Sequence, residues 1–388
     1  MPPLHLTATD ILPEDPKALL VGRIWSDAAG GPCPVICRAG ELYDLTRLAP
    51  TMSGILEIAD LAHRLEGRFA ALGPLDAYLD LGDGTGRLGR LLAPCDLQAV
   101  KAAGVTFAGS MIERVIEERA KGDPARAEAI RAELAGILGG SLRGVRPGTE
   151  AAAAVKAKLQ AAGMWSQYLE VGIGPDAEVF SKAPPMAAVG CGAEIGVHAK
   201  SAWNNPEPEV VLAVNSTGRI CGASLGNDVN LRDVEGRSAL LLGKAKDNNA
   251  SAAIGPFIRL FDESFTLQTV EGLRVGLEIK GEDGFLLQDH SDMGQISRPP
   301  ADIVAQTLNR SHQYPDGFVL YLGTMFAPTK DRDAPGQGFT HHTGDRVTIA
   351  SGPLGKLVNT VRPCDEIAPW TFGTRALMEN LAKRGVLG

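Results

Sequence analysis

The sequence predicts an α+β chain in two parts: a smaller mixed α/β N-terminal domain, residues 1–165, and a mostly β C-terminal domain, residues 166–388. Three observations predict it. The chain has 388 residues, more than one domain usually holds. Stretches with helical spacing, several rich in alanine, crowd the region before Trp165. After Trp165 the chain becomes short β-branched or alternating runs separated by Gly, Asn and Asp turns.

The elements run in this order. Up to about Arg64, "LLVGRIW" and "GELYDL" read as strands among Gly- and Pro-rich turns. "GTGRLG", Gly84 to Gly89, fits GxGxxG, but a dinucleotide site needs a helix next, and Pro94 interrupts the segment "RLLAPCD" where that helix would form. A glycine turn between short strands is expected instead. "TFAGSMIERVIEERAKGD" places Met111, Val115, Ile116 and Arg119 at helical spacing and stops at Gly122. "DPARAEAIRAELAGILGG" opens on an Asp cap with proline at the first helical position and closes on a Gly pair. "GTEAAAAVKAKLQAAG" is a further helix. The later strands are "VVLAVNSTGRICGASLG", "LRVGLEIKGEDGFLLQ", "FVLYLGTMF" and "DRVTIASGPLGKLVNTV".

Composition excludes several classes. A net charge of −8 without a basic stripe argues against a nucleic-acid partner. The N-terminus lacks a secretory pattern, and no apolar run approaches the ~20 residues that span a bilayer. The six cysteines form no CxxC pair, so reduced thiols in a cytoplasmic protein are expected.

"WNNPEPEVVLAV" carries the chemistry. Glu207 and Glu209 lie two apart at the start of an apolar strand, so both project from one face. Pro206 and Pro208 cannot donate to a ladder, which predicts an edge or a strand entrance. If "VVLAV" and "RICGASLGND" form a hairpin with an even-numbered loop, Asp228 joins the two glutamates on that face. A three-residue loop turns it away. Three carboxylates on one face repel unless protonated or bridged by a cation. Oxygen ligands alone suit a hard ion: Mg²⁺, with Mn²⁺ or Ca²⁺ as alternatives.

With "GNDVNLRDVEG" and "AKDNNASAAIGP" coming next in order, the chain resembles the fumarylacetoacetate hydrolase superfamily from "LLAPCDLQAVKAAGVTF" to its end. The resemblance implies a fumarylacetoacetase-type catalytic domain with Mg²⁺ on Glu207, Glu209 and Asp228, and Glu178 as a fourth acid. It places the family lysine on Lys246 and a contact to the substrate carboxylate at Thr324 in "GTMF". Lys182 in "FSKA" is a second candidate for that carboxylate. Arg232 is a candidate for substrate contact, with an internal ion pair or a turn-holding role for Arg232 and Asp233 as the alternative. A small-molecule 2-keto acid and a homodimer or homotetramer are the implied partners.

Two departures narrow the implied function. Where hydrolytic and decarboxylating relatives carry a lid motif with His and Glu, this chain has "GVTFAGSMIE": Ser110 stands in place of His, and Glu113 is kept. "SKAPPMAAVG" also lacks the histidine base of the fumarylacetoacetate hydrolases. Activating water at neutral pH is difficult without such a base. "FAPTKDR", "GFTHHTGDRVTI" and the lid Ser-x-x-Glu resemble the branch that dehydrates 2-keto-3-deoxy-pentonates, of D-xylonate or D-arabinonate type, to 2-oxoglutarate semialdehyde. Lys246 then serves as base or as charge stabiliser, Glu113 protonates the leaving hydroxyl, and Ser110 holds it. The alternative is a C–C bond hydrolase of a 2,4-diketo acid. His341 and His342 read as loop histidines, or else as distal contacts to sugar hydroxyls.

Overall fold

Strand after strand of this chain is buried on both faces, and two open sheets result. The computed structural model describes residues 5–79, 86–107, 145–325, 328, 330–334 and 338–387, with scattered positions between 108 and 144. Sixteen strands are found among these residues: β1 Leu20–Ser26, β2 Gly31–Arg38, β3 Glu41–Asp44, β4 Ala70–Pro74, β5 Gly89–Leu92, β6 Ala99–Gly104, β7 Glu178–Ala183, β8 Glu194–Val197, β9 Pro208–Val214, β10 Ile220–Asp228, β11 Ala252–Leu260, β12 Arg274–Lys280, β13 Leu286–Asp292, β14 Phe318–Tyr321, β15 Arg346–Ser351 and β16 Gly355–Pro363.

The larger sheet runs β4-β3-β2-β1-β11-β10-β9-β14-β6-β7, with β5 paired to β1. The smaller runs β13-β12-β15-β16-β8. Most pairings are antiparallel; β14–β6 and β16–β8 are parallel. Strands from both sides of residue 165 share the larger sheet, since β1 pairs with β11 and β6 lies between β14 and β7.

The main core lies between the sheets. Val210, Leu212 and Val214 of β9 and Ala223 and Leu225 of β10 pack with Val275, Leu277, Ile279, Val347 and Ile349 of the smaller sheet. The opposite face of β9 is covered too. Ala213 meets the helices Met52–Glu57 and Leu61–Leu65, and Val211 joins Val100, Ile254 and Tyr321. That double covering explains the unbroken apolar run after Glu209.

The third helical stretch forms as expected, over Glu150–Ala161. The Thr149 hydroxyl accepts from Ala152 N at its start, and Gly163 sits at φ +66° just beyond its end. Met111, Val115, Ile116, Ile130 and Leu134 pack against it and the next helix, Gln167–Ile173. Gly86 and Gly89 bound a turn at the start of β5, in which Gly86 N donates to Gly89 O at 2.8 Å, while Gly84 lies outside the described residues. All six cysteines are free thiols. No helix among the described residues is long and apolar enough to cross a membrane.

Candidate metal and active site

The site begins with the β9–β10 hairpin. Its tip, residues 216–218, is three residues long and is closed by Asn215 N donating to Arg219 O at 3.0 Å. This corrects the even-numbered loop expected from the sequence. By itself an odd loop would point Asp228 to the wrong face. A bulge restores the parity: Val214 opposes Ile220, but Ala213 opposes Gly222, so Cys221 is the extra residue. Beyond it Glu209 opposes Gly226 and Pro208 opposes Asn227, and Asp228 N donates to Glu207 O at 3.1 Å. The register continues to Asn205 and Asn230, which exchange two bonds of 3.0 Å. Glu207, Glu209 and Asp228 therefore share a face.

β9 is a central strand, not an edge. The prolines fit because Pro208 is its first residue, a strand entrance. β14 stops at Tyr321, leaving the β9 entrance without a neighbour on that side. The Gly323 N–H beyond that stop turns to Glu209 Oε2, 2.7 Å away. Thr324 comes directly after it and is half-buried. Gly226, opposite Glu209, lets Tyr321 and Val211 pack against the backbone there.

One oxygen from each of the three carboxylates lies within 4.8 Å of the others, and all three side chains are buried. Two buried lysines accompany them. Lys246, at the end of the helix Leu242–Lys246, donates to Glu207 Oε2 and to Asp228 Oδ2, the latter at 3.2 Å. Lys182, on β7, sits 2.8 Å from Asp228 Oδ1. Its ammonium also donates to the carbonyls of Val229, at 2.9 Å, and Lys246, and reaches Ser251 Oγ at 3.4 Å. Those three bonds use its three hydrogens, so in this geometry Lys182 has none left for a substrate carboxylate. It backs the acidic cluster instead.

The electrostatics divide the trio. Burial raises the Glu209 pKa well above its ordinary value, and the Asp228 and Glu207 carboxylates add to the rise. Burial likewise raises Glu207, against the attraction of Lys246. Burial alone would raise Asp228, yet Lys182 and Lys246 carry it below its ordinary value. Burial works against the charge on Lys246, but Asp228 and Glu207 outweigh it and hold the ammonium protonated. For Lys182 burial wins, and its pKa falls.

These residues fit a hard divalent cation. Three carboxylates against two ammonium groups leave a net negative site when all are ionised. Asp228 Oδ1 accepts no hydrogen bond, because Lys182 faces it outside hydrogen-bond angles. The donors are oxygen only, which suits Mg²⁺.

The remaining predicted residues divide. Glu178, the first residue of β7, lies over Gly104 and is not in the three-acid group. Its expected place as a fourth ligand therefore has no support in this geometry. Arg232 stacks on the Trp203 ring at 4.4 Å. Asp233 ties down residues 201–202, through Ser201 Oγ at 2.8 Å and Ala202 N at 2.9 Å, and is not an ion partner for Arg232. Ser110 and Glu113 lie outside the described residues.

Sequence reasoning undervalued His341. Its ring is buried and its Nδ1 lies 3.1 Å from Asp345 Oδ2. Asp345 also takes two bonds from Arg332, at 2.6 and 2.7 Å. His341 N donates to Asn204 Oδ1 at 3.2 Å, so this group braces the segment that leads into Glu207. Asp345, four residues after His341, was the available signal.

The fold is one of two sheets with a buried three-carboxylate cluster that could hold a metal ion. The family model described as fumarylacetoacetate (FAA) hydrolase C-terminal matches residues 149–362, more than half the chain, and the chain belongs to that family. It is 30% identical over 185 residues to the 2-dehydro-3-deoxy-D-arabinonate dehydratase of Saccharolobus solfataricus, covering 48% of this chain and 58% of that one. A Haloferax volcanii protein named "Probable 2-keto-3-deoxyxylonate dehydratase" is 29% identical over 206 residues, 53% of this chain and 67% of that one. Among solved structures, a 2-keto-3-deoxy-D-arabinonate dehydratase complexed with magnesium and 2,5-dioxopentanoate aligns with a TM-score of 0.57 at 20% identity, over 89% of this chain and 99% of that one. That likeness concerns the fold.

Proposed function

We propose that this chain dehydrates a 2-keto-3-deoxy sugar acid, of the D-xylonate or D-arabinonate type, to 2-oxoglutarate semialdehyde. The observation that carries the reading is the buried Glu207–Glu209–Asp228 trio with Lys246 bonded to two of its members. The dehydratase names of two relatives support it. So does the magnesium and 2,5-dioxopentanoate, the semialdehyde of 2-oxoglutarate, held by the dehydratase of like fold.

Glu207, Glu209 and Asp228 would hold Mg²⁺. When bound, the ion supplies a Lewis acid for the C1 carboxylate and C2 carbonyl of a keto acid. Beside Glu207 and Asp228, Lys246 serves as the base that takes the C3 proton or as the charge that faces the C2 oxygen as that proton leaves. Lys182 keeps Asp228 ionised and oriented. Gly323 N orients Glu209, and the hydroxyl of Thr324, the next residue, would serve the substrate carboxylate. Glu113 protonates the C4 hydroxyl, which leaves as water, and Ser110 holds it. Arg232, on Trp203, belongs at the rim. In this reading residues 166–388 carry the metal seat and residues 1–165 the lid. The protein is a cytoplasmic homodimer or homotetramer acting on pentose-derived acids.

The test is turnover of 2-keto-3-deoxy-D-xylonate with Mg²⁺, coupled to oxidation of the semialdehyde. Semialdehyde formation that stops in excess chelator is the expected result. Cleavage of a 2,4-diketo acid with the deoxy acid untouched would replace this reading with hydrolysis.

A further inference from the structure

A second cavity lies between β1 and β5 on one side and the β8–β16 edge of the smaller sheet on the other, roofed by residues 367–372. Its volume is about 860 Å³, and none of Glu207, Glu209, Asp228, Lys182 or Lys246 lines it. Alternation builds its floor. Ile24 and Leu91 oppose each other in the core, so Arg23 and Trp25 of β1 turn the other way, with Leu92 and Arg90 opposite them on β5.

Arg23 is the unusual member. It is 3% exposed, and a guanidinium is always charged. Its Nε donates to Ala93 O at 3.1 Å and its Nη1 to the Met186 thioether at 3.3 Å, a weak acceptor. Among the described residues Arg23 has no carboxylate partner, and neither has Arg90, which stacks on Trp25 at 5.2 Å. A buried cation without a counter-charge is costly, and proteins seldom keep one. Arg362 on the rim differs, because Glu194 pairs with it at 3.0 Å. The walls are aromatic: Trp25 and Phe372 meet edge to face at 5.1 Å, and Trp370 is 45% exposed beside them. The volume falls within the range of small-ligand pockets.

We propose that this cavity binds a small organic anion, its carboxylate on the Arg23 guanidinium and within reach of Arg90, and its flat apolar body against Trp25, Phe372 and Trp370. The charge supplies what Arg23 lacks, and the rings supply area and shape. The binding is independent of the metal site and of the dehydratase reading.

The experiment is calorimetric titration of the Mg²⁺-loaded full chain with benzoate, phenylacetate and indole-3-acetate, and with benzamide and inorganic phosphate as controls. At least one aromatic acid binds saturably. Its affinity falls tenfold or more in Arg90→Ala, an exposed position whose change leaves the fold intact, and further in Arg23→Met. Glu209→Gln leaves it unchanged, and benzamide binds at least tenfold more weakly than benzoate. The proposal fails if none of the three acids binds. It fails if their affinity is the same in Arg90→Ala, or is lost in Glu209→Gln, which would put them on the metal seat. Inorganic phosphate binding as tightly as the acids would also overturn it, since the aromatic walls would then contribute nothing.

Discussion

Replacing Glu209 by glutamine removes one charge from the acidic trio and keeps the shape of the side chain. In the metal-free protein, burial and the adjacent Asp228 and Glu207 carboxylates already hold the Glu209 pKa well above the ordinary 4.5. Two unit charges 4.8 Å apart repel by about 3.5 kcal/mol at an effective dielectric constant of ~20. The neutral carboxyl therefore survives well above its usual range, and glutamine mimics it. The glutamine carbonyl still accepts the Gly323 N–H, so the stability of the metal-free protein changes by less than about 1 kcal/mol. Metal binding responds differently. The lost charge costs several kcal/mol of attraction for a divalent ion, and the relieved repulsion returns only part of it. A net loss of ~2.7 kcal/mol is a hundredfold in Kd, and at least that is expected, with turnover lost as well. The pH dependence has a definite sign. A carboxyl whose folded pKa is raised contributes stability below its unfolded value and loses it as pH rises through the folded one. Metal-free wild-type protein should thus lose stability above pH 4.5, and Glu209→Gln should flatten that loss without abolishing it, because Glu207 is raised too. Melting curves in chelator across this range, with Mg²⁺ calorimetry, measure both effects. Wild-type Mg²⁺ affinity in the variant would refute the seat. A metal-free variant several kcal/mol less stable would refute the account of repulsion.

Lys246→Met should lower turnover by a hundredfold or more while Mg²⁺ binds as tightly or tighter, since Lys246 competes with the ion for Glu207 and Asp228; weakened Mg²⁺ binding would contradict this. Asp345→Asn should destabilise by about 1.5–3 kcal/mol, because Arg332 loses two charge-assisted bonds and is left with Asp283 as its only acidic partner among the described residues. His341, Arg332 and the His342 N–H hold the Asp345 pKa near 2 against burial, below the ordinary 3.8. That difference is worth about 2 kcal/mol of stability, present above pH 3.8 and lost as pH falls toward 2, and acid unfolding of wild type and variant will show it. Gly226→Ala should cost about 1–3 kcal/mol in denaturant titration, because its Cβ would stand 2.4 Å from Tyr321 Cε1 and Val211 Cγ2. Tyr321 cannot yield easily, since its hydroxyl is bonded to Ala253 O at 2.8 Å.

Much of the site was legible in local pattern. Glu207 and Glu209 share a face because a strand alternates every residue, and no tertiary contact is needed to know it. The apolar run after them read as a strand, and the alanine-rich stretch before Trp165 as a helix. The lysines were harder. Only the family resemblance points to Lys246, and the sequence sends Lys182 to a substrate when its ion partner is Asp228 and its acceptors are Val229, Ser251 and the Lys246 carbonyl. His341 looked like a loop residue because nothing in "FTHHTGD" states that Asp345 and Arg332 close around it.

Asp228 shows where local pattern ends and tertiary structure decides. Its place beside the glutamates depends on the parity of every residue between the two strands. The three-residue tip sets that parity one way, and the bulge at Cys221 sets it back. Alternation within a strand is a property of the backbone and can be read from the sequence. Register between strands is a sum over turn and bulge, and it is fixed by the packing of both faces of β9 and β10.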